Sequence, residues 1–176
     1  TKPSDDRLSP QDANEIVEAC VKMAEVKTGA LIVIERNVSM GDIVSASGVT
    51  VDAVISSQLL INIFEDKTPL HDGAVIIRDN RVAAASCILP VTQSEIGQEL
   101  GTRHRAAVGA SEVSDAFIIV VSEETGKISI ARDGKLEKAV SEAVFRQELL
   151  NLCEKTTPAG AKAINKIWKG MSRHDK

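Results

Sequence analysis

The chain has 176 residues, enough for one domain with a sizeable core. Its 43% of hydrophobic residues are mostly Ala, Ile, Val and Leu; three Phe, one Trp and no Tyr argue against a single-stranded nucleic-acid binder that stacks bases on aromatic rings. A formal net charge of −4 supplies no general field for polyanions, so a phosphate ligand must be held by a local cluster of donors.

Cys20, Cys87 and Cys153 are far apart, lack metal-ligand spacing and sit among apolar neighbours, which suits buried thiols in a reducing compartment. No stretch approaches the ~20 apolar residues of a membrane span, and no signal peptide is evident. The start at Thr1-Lys2 rather than Met fits an excised soluble part of a longer protein.

In chain order, Ser9-Pro10-Gln11-Asp12 predicts a helix start, with Ser as N-cap and Pro in the first turn. Ala13, Ile16, Val17, Cys20 and Ala24 form one helical stripe, and Gly29 is the expected stop. Ala30–Ile34 reads as a strand buried on both faces. Residues 36–50 read as a polar connection with a short strand after it, and Ser56 as the cap of a helix carrying Leu59, Leu60, Ile63 and Phe64. Ala74–Ile77 and Val82–Cys87 predict a hairpin about Asp79-Asn80. Pro90 ends its second strand, and a loop leads to Gly101 and a helix from Thr102 to about Ala110. Phe117–Val121 predicts another buried strand, paired through the turn Glu123–Gly126 with Lys127–Ala131. A final amphipathic helix is expected over 136–154, with Leu136, Val140, Val144 and Leu150 inward. Hairpins give antiparallel pairs and helical crossovers parallel ones, so the expected fold class is α/β, a mixed parallel/antiparallel central sheet covered by helices. After Pro158, Lys162, Lys166, Lys169, Arg173 and Lys176 form a basic tail with Ile164, Ile167 and Trp168. A frayed extension is the simpler reading of this tail, and a membrane-surface or partner-docking role the alternative.

The common nucleotide-binding glycine motifs, zinc-enzyme His spacing and a nucleophilic-serine elbow are all absent. Three polar clusters remain. The first is His71-Asp72-Gly73: an isolated Asp-Gly is first of all a turn, but a carboxylate at a strand mouth also suits a divalent metal or a hydroxyl proton, and Gly73 leaves room for close approach. The second is Gly101-Thr102-Arg103-His104-Arg105. Cations at a helix N-terminus oppose the macrodipole by ~0.3–1 kcal/mol each. A bound polyanion reverses that balance, at ~1.5–3 kcal/mol per charge-assisted hydrogen bond, while surface salt bridging explains the same letters equally well. The third, Ser122-Glu123-Glu124-Thr125-Gly126, offers a phosphate donor in Ser122 and a metal-binding carboxylate, or simply a solvated turn.

Together the clusters resemble the diadenylate cyclase domain, the bacterial module that condenses two ATP molecules into cyclic di-AMP. Its two signatures stand here as Asp72-Gly73-Ala74 and Arg103-His104-Arg105. The likeness extends through Ile34-Glu35-Arg36, Ser57–Phe64, Thr68-Pro69-Leu70-His71 and Val121–Gly126, over roughly residues 10–150, and is greatest to the membrane-anchored housekeeping type. The resemblance implies about seven strands surrounded by helices, with a catalytic domain over 1–155 and the basic tail over 156–176. It implies catalytic roles for Asp72, Arg103, His104 and Arg105. Asp72 would bind metal and help activate the ribose 3′-hydroxyl; Gly73 and Ala74 would lie at the substrate, with the ribose close to Gly73. Thr102, Arg103, His104 and Arg105 would hold the triphosphate with help from Ser122, and Leu89 would lie against adenine. Asp72, His71 and Glu124 are the implied contacts of a divalent metal, Mn²⁺ or Mg²⁺, with Co²⁺ a further candidate. Many relatives carry an aromatic residue where Ile88 stands, so aliphatic packing must replace any stacking there. With no internal repeat, one chain carries one ATP site, and two chains must meet face to face as a homodimer. The implied partners are ATP, cyclic di-AMP, a membrane regulator and a phosphoglucosamine mutase, but no nucleic acid, at the cytoplasmic face of the cell membrane in the full-length protein. A non-catalytic sensor of ATP or cyclic di-AMP, and a structural interaction module, are the competing classes.

Overall fold

Helix α1 (Pro10–Glu25) begins as its sequence dictates: the Ser9 hydroxyl accepts the Asp12 backbone N–H at 3.1 Å and donates to the Asp12 carboxylate at 2.7 Å. The computed structural model describes residues 8–97 and 100–154, so the basic tail expected over 156–176 lies outside the described residues. The helix stops four residues before Gly29, because Lys27 takes the left-handed conformation (φ 55°) and the Thr28 N–H returns to the Met23 carbonyl.

After α1 come β1 (Ala30–Ile34), α2 (Gly41–Ser47), β2 (Val49–Val54), α3 (Ser57–Phe64), β3 (Ala74–Arg78) and β4 (Arg81–Cys87). The chain continues through α4 (Thr102–Glu112), β5 (Phe117–Val121), β6 (Ile128–Arg132), β7 (Lys135–Val140) and α5 (Glu142–Asn151). The seven strands form one sheet in the order β2-β4-β3-β1-β5-β6-β7, in which only β1 and β3 are parallel. The mixed sheet is therefore as expected. It is built from hairpins and one right-sized crossover, through α2, β2 and α3, between β1 and β3.

The continuous apolar strands are buried on both faces, and their alternation divides the core. Ile32, Val75, Phe117 and Ile119 face α1, α3 and α5, where Ile16, Leu60, Phe64, Phe145 and Leu149 pack. Leu31, Val33, Ile76, Ile118 and Val120 face α4, whose Ala106, Ala107, Val108 and Ala110 lie against them. These short side chains bring α4 close to the sheet, and with it the Thr102–Arg105 segment.

Several expectations need correction. Residues 41–47 form a short helix within the expected loop. The final helix begins at Glu142, not 136: Asp133 (φ 50°) and Gly134 (φ 75°) make a two-residue hairpin turn, so Lys135–Val140 is an edge strand against β6. Ser141 then caps α5 through its hydroxyl and the Val144 N–H, and Phe145 and Leu149 face inward while Val144 and Leu150 are exposed. Asp79 and Asn80, both at positive φ, make the same kind of turn between β3 and β4, as expected. Cys20 and Cys87 are buried free thiols, and burial pushes Cys20 up to about 12; Cys153, expected to be buried, is only half-buried.

Candidate active site

Two clefts meet at Arg103. The first, of about 480 Å³, lies between the start of α4, the turn after β5 and the wall made by β6 and β7; Thr102, Arg103, His104, Ser122, Glu124 and Lys138 line it. The second, of about 470 Å³, lies between the α1–β1 turn, the end of α3 and the same β5–β6 turn, with Gly29, Asp66, His71, Arg103, Glu123 and Glu124 around it. Arg103 is held between them, with Nη1 3.4 Å from Glu123 Oε1.

The Ser122–Gly126 turn is built by its own sequence. The Ser122 hydroxyl oxygen accepts the backbone N–H groups of Glu124 and Thr125 at 3.3 and 3.2 Å, and Gly126 (φ 68°) sends its N–H to the Ser122 carbonyl. These bonds use the oxygen as acceptor and leave its O–H available as a donor, and Ser122 lines the first cleft. Opposite it, α4 starts at Gly101 without a side-chain cap, so the first N–H groups of the helix face the cleft beside Thr102 and Arg103.

His104 is 7% exposed, and its Nδ1 is a buried nitrogen without a hydrogen-bond partner among the described residues. Burial, and then the charge of Arg103, push its pKa below the ordinary value; Lys138 acts in the same direction and Glu124 against it. The shift favours the neutral ring, a hydrogen-bonding group rather than a third cation. Arg105 turns away, its Nη2 pointing to the Gly97 carbonyl at 3.4 Å, and it lines neither cleft. The expected run of three cations is therefore divided: Arg103 and His104 face the first cleft and Arg105 braces the preceding loop.

His71 donates from Nδ1 to the Thr68 carbonyl at 2.7 Å, which fixes the tautomer and leaves the Nε2 lone pair as its ligating atom. That Nε2 is 3.8 Å from Asp66 Oδ1, and the ring lines the second cleft with Glu124. Asp72, by contrast, is exposed and lines neither cleft. Among the described residues no three His, Cys, Asp or Glu side chains gather as a metal-binding group, so His71, Asp72 and Glu124 do not form one within a single chain. Gly73 (φ 94°) is required by the chain itself, because a Cβ there would stand 2.8 Å from the Cys87 carbonyl oxygen and 3.0 Å from its nitrogen. Ala74 is buried in β3, and Leu89 is buried against the α4 side of the core rather than lining either cleft. Ile88 beside it is 62% exposed.

Sequence reasoning missed Lys127, Ser129 and Lys138 in the first cleft. Asp133-Gly134 was the available signal, since a hairpin there places Lys138 on the strand beside β6.

The fold is that of an α/β protein with a mixed sheet, and its two clefts gather cationic, hydroxyl and carboxylate side chains about Arg103. A family model described as "DisA bacterial checkpoint controller nucleotide-binding" (DAC) matches residues 17–136, and the chain belongs to that family. It is 51% identical over 135 residues to the protein named cyclic di-AMP synthase CdaA of Bacillus subtilis, covering 76% of this chain and 49% of that protein. It is 46% identical over 165 residues to a diadenylate cyclase of Listeria monocytogenes, covering 91% of this chain and 60% of that one. The chain thus spans between about half and three fifths of these relatives' length. Among solved structures, a double mutant of DacA from Staphylococcus aureus superposes with a TM-score of 0.79 at 45% identity, covering 81% of this chain and 95% of that one. A structure described as a hypothetical membrane spanning protein from Bacillus cereus gives 0.69, also at 45% identity, over 74% of this chain and 64% of that one. No helix among the described residues is long and apolar enough to cross a membrane.

Proposed function

We propose that the chain is the catalytic domain of a diadenylate cyclase, joining two ATP molecules into cyclic di-AMP with release of two pyrophosphates. The observation that carries this reading is Arg103, set at the open N-terminus of α4 between two clefts and facing Ser122 and Glu124. Family membership and the names of the relatives support the same substrate and product.

In each half-reaction a ribose 3′-oxygen forms a bond to the α-phosphorus of the other nucleotide. The bond from that phosphorus to the β-phosphate bridging oxygen breaks, and pyrophosphate departs. Thr102, Arg103, the free N–H groups of α4 and the Ser122 hydroxyl hold the phosphates and stabilise the charge that grows on their oxygens. His104, whose buried Nδ1 has no partner among the described residues, lines the same cleft and adds a hydrogen bond there. Asp72 accepts the 3′-hydroxyl proton.

His71 Nε2 and the Glu124 carboxylate fit a divalent ion that takes its remaining ligands from phosphate oxygens and water, as Mg²⁺ and Mn²⁺ sites usually do. When bound, the ion polarises the phosphoryl oxygens. Asp72 lines neither cleft of its own chain, which supports a face-to-face homodimer in which two nucleotides lie antiparallel. The longer relatives, and a similar structure described as membrane spanning, support a membrane-anchored full-length protein; a membrane regulator and a phosphoglucosamine mutase are the partners that the family resemblance alone implies.

The test pairs ATP with 3′-deoxy-ATP, which lacks the nucleophile. ATP is expected to yield cyclic di-AMP and pyrophosphate, and 3′-deoxy-ATP to bind and yield neither. Pyrophosphate released from the deoxy compound, or no dinucleotide from ATP, would refute the reaction.

A further inference from the structure

We propose that Gly29 is a positioning residue for Arg103, a bare stretch of backbone on which the guanidinium rests while it faces the nucleotide. The proposal rests on the reading of Arg103 as a phosphate-holding residue. Its structural basis is separate from that reading. A Cβ placed on Gly29 would stand 2.5 Å from Arg103 Cζ, 2.6 Å from Nη1 and 2.9 Å from Nη2. The central carbon is nearest and the two terminal nitrogens almost as near, so the guanidinium presents its flat face to Gly29. Its N–H groups then point outward in the plane, one of them towards Glu123 at 3.4 Å.

The fold explains how two residues so distant in sequence meet. Ala30 pairs with Val121 across the antiparallel β1–β5 ladder, so Gly29 and Ser122 lie side by side at one end of these neighbouring strands. Arg103, rooted in the first turn of α4, reaches over both strand ends. The three nearest atoms to the absent Cβ all belong to the far end of Arg103. Gly29 is not among the residues with positive φ, so alanine meets no backbone strain there. Glycine at this position is therefore not demanded by the turn. What it provides is space for one side chain, and a methyl group would push that side chain out of its place between the clefts.

The test is a double-mutant cycle of Gly29→Ala and Arg103→Ala, read by three measurements. In the ligand-free protein, Gly29→Ala is expected to move the Arg103 Nε–Hε resonance, identified by its loss in Arg103→Ala. Affinity for 3′-deoxy-ATP is expected to fall about tenfold, the scale of one charge-assisted hydrogen bond. In the Arg103→Ala background the same substitution is expected to change affinity by less than about twofold, because the three atoms nearest the methyl group, all of the Arg103 guanidinium, are then gone. Thermal stability of the double variant should equal that of Arg103→Ala. An unmoved resonance, an equal affinity loss in both backgrounds, or a chain destabilised by Gly29→Ala even without Arg103 would each overturn the proposal. Failure of the wild-type chain to make cyclic di-AMP would instead strike the proposed reaction, and the ligand-free resonance would still report on the seat.

Discussion

Replacing Gly109 with alanine should strain the contact between α4 and the loop that precedes it. Gly109 lies within α4, and a Cβ there would run into the Pro90 carbonyl oxygen, with Thr92 N at 2.7 Å and the Pro90 carbonyl carbon at 2.8 Å. These are backbone atoms, so the loop must recede by well over an ångström to reach ordinary contact. It cannot do so cheaply: Thr92 N donates to the Arg105 carbonyl at 3.0 Å, and the Thr92 hydroxyl bonds the Glu112 carboxylate. Overpacking costs roughly 1–3 kcal/mol and the strained loop hydrogen bonds about 1 kcal/mol more. At ~2–4 °C per kcal/mol for a domain of this size, the melting temperature should fall by roughly 5–15 °C. The receding loop is hydrogen-bonded to Arg105 in the first turn of α4, through Thr92 N and the Gly97 carbonyl, so its shift reaches the segment that lines the first cleft and affinity for 3′-deoxy-ATP should weaken as well. Calorimetry and a binding titration on Gly109→Ala would check both. A melting temperature within about 2 °C of wild type would refute the packing argument.

Two further outcomes follow from the site and its surroundings. Asp72→Asn keeps the shape of the side chain and leaves both clefts untouched, so ATP affinity should remain within about threefold while turnover falls by ~10²-fold or more; full turnover in this variant would remove Asp72 from the mechanism. Asp115 lies between two effects: burial pushes its carboxyl up, but the amide N–H groups of Val38 and Asn37, at 2.9 and 3.0 Å, outweigh it and hold the pKa below the ordinary 3.8. Its stabilising effect is therefore present above that ordinary value and is lost as pH falls through the lowered one. Wild type should melt above Asp115→Asn at pH 7, and the two should converge as the pH falls through the lowered pKa. A gap that stays constant into acid would contradict this assignment.

Much of the architecture was legible because local chemistry and tertiary packing agree. Ser9 and Ser56 cap the helices they precede, the runs 30–34 and 117–121 are too short and too apolar for anything but buried strands, and Asp79-Asn80 turns as its residue types demand. The misread region, 132–141, contains the same kind of signal in Asp133-Gly134. Leu136, Val140 and Val144 also fit a helical period, and four-residue spacing coincides with the even spacing of a strand. The candidate site was legible only in part. Arg103 and Ser122 could be paired through the family motifs, but nothing local distinguishes Arg105, which braces a loop, from Arg103, which faces the clefts. Gly29 was read as a helix stop because glycine commonly serves there; its packing against a residue 74 positions later is a property of the sheet register alone.

The central claim, that each chain holds half of a reacting pair, is tested most directly by following cyclic di-AMP formation from ATP and Mn²⁺ across a dilution series of the purified chain. Specific activity should fall as the protein is diluted through its dimer dissociation constant, with two pyrophosphates released for each cyclic di-AMP formed. A product yield strictly proportional to protein down to nanomolar concentration, or no cyclic product at any concentration, would contradict the account.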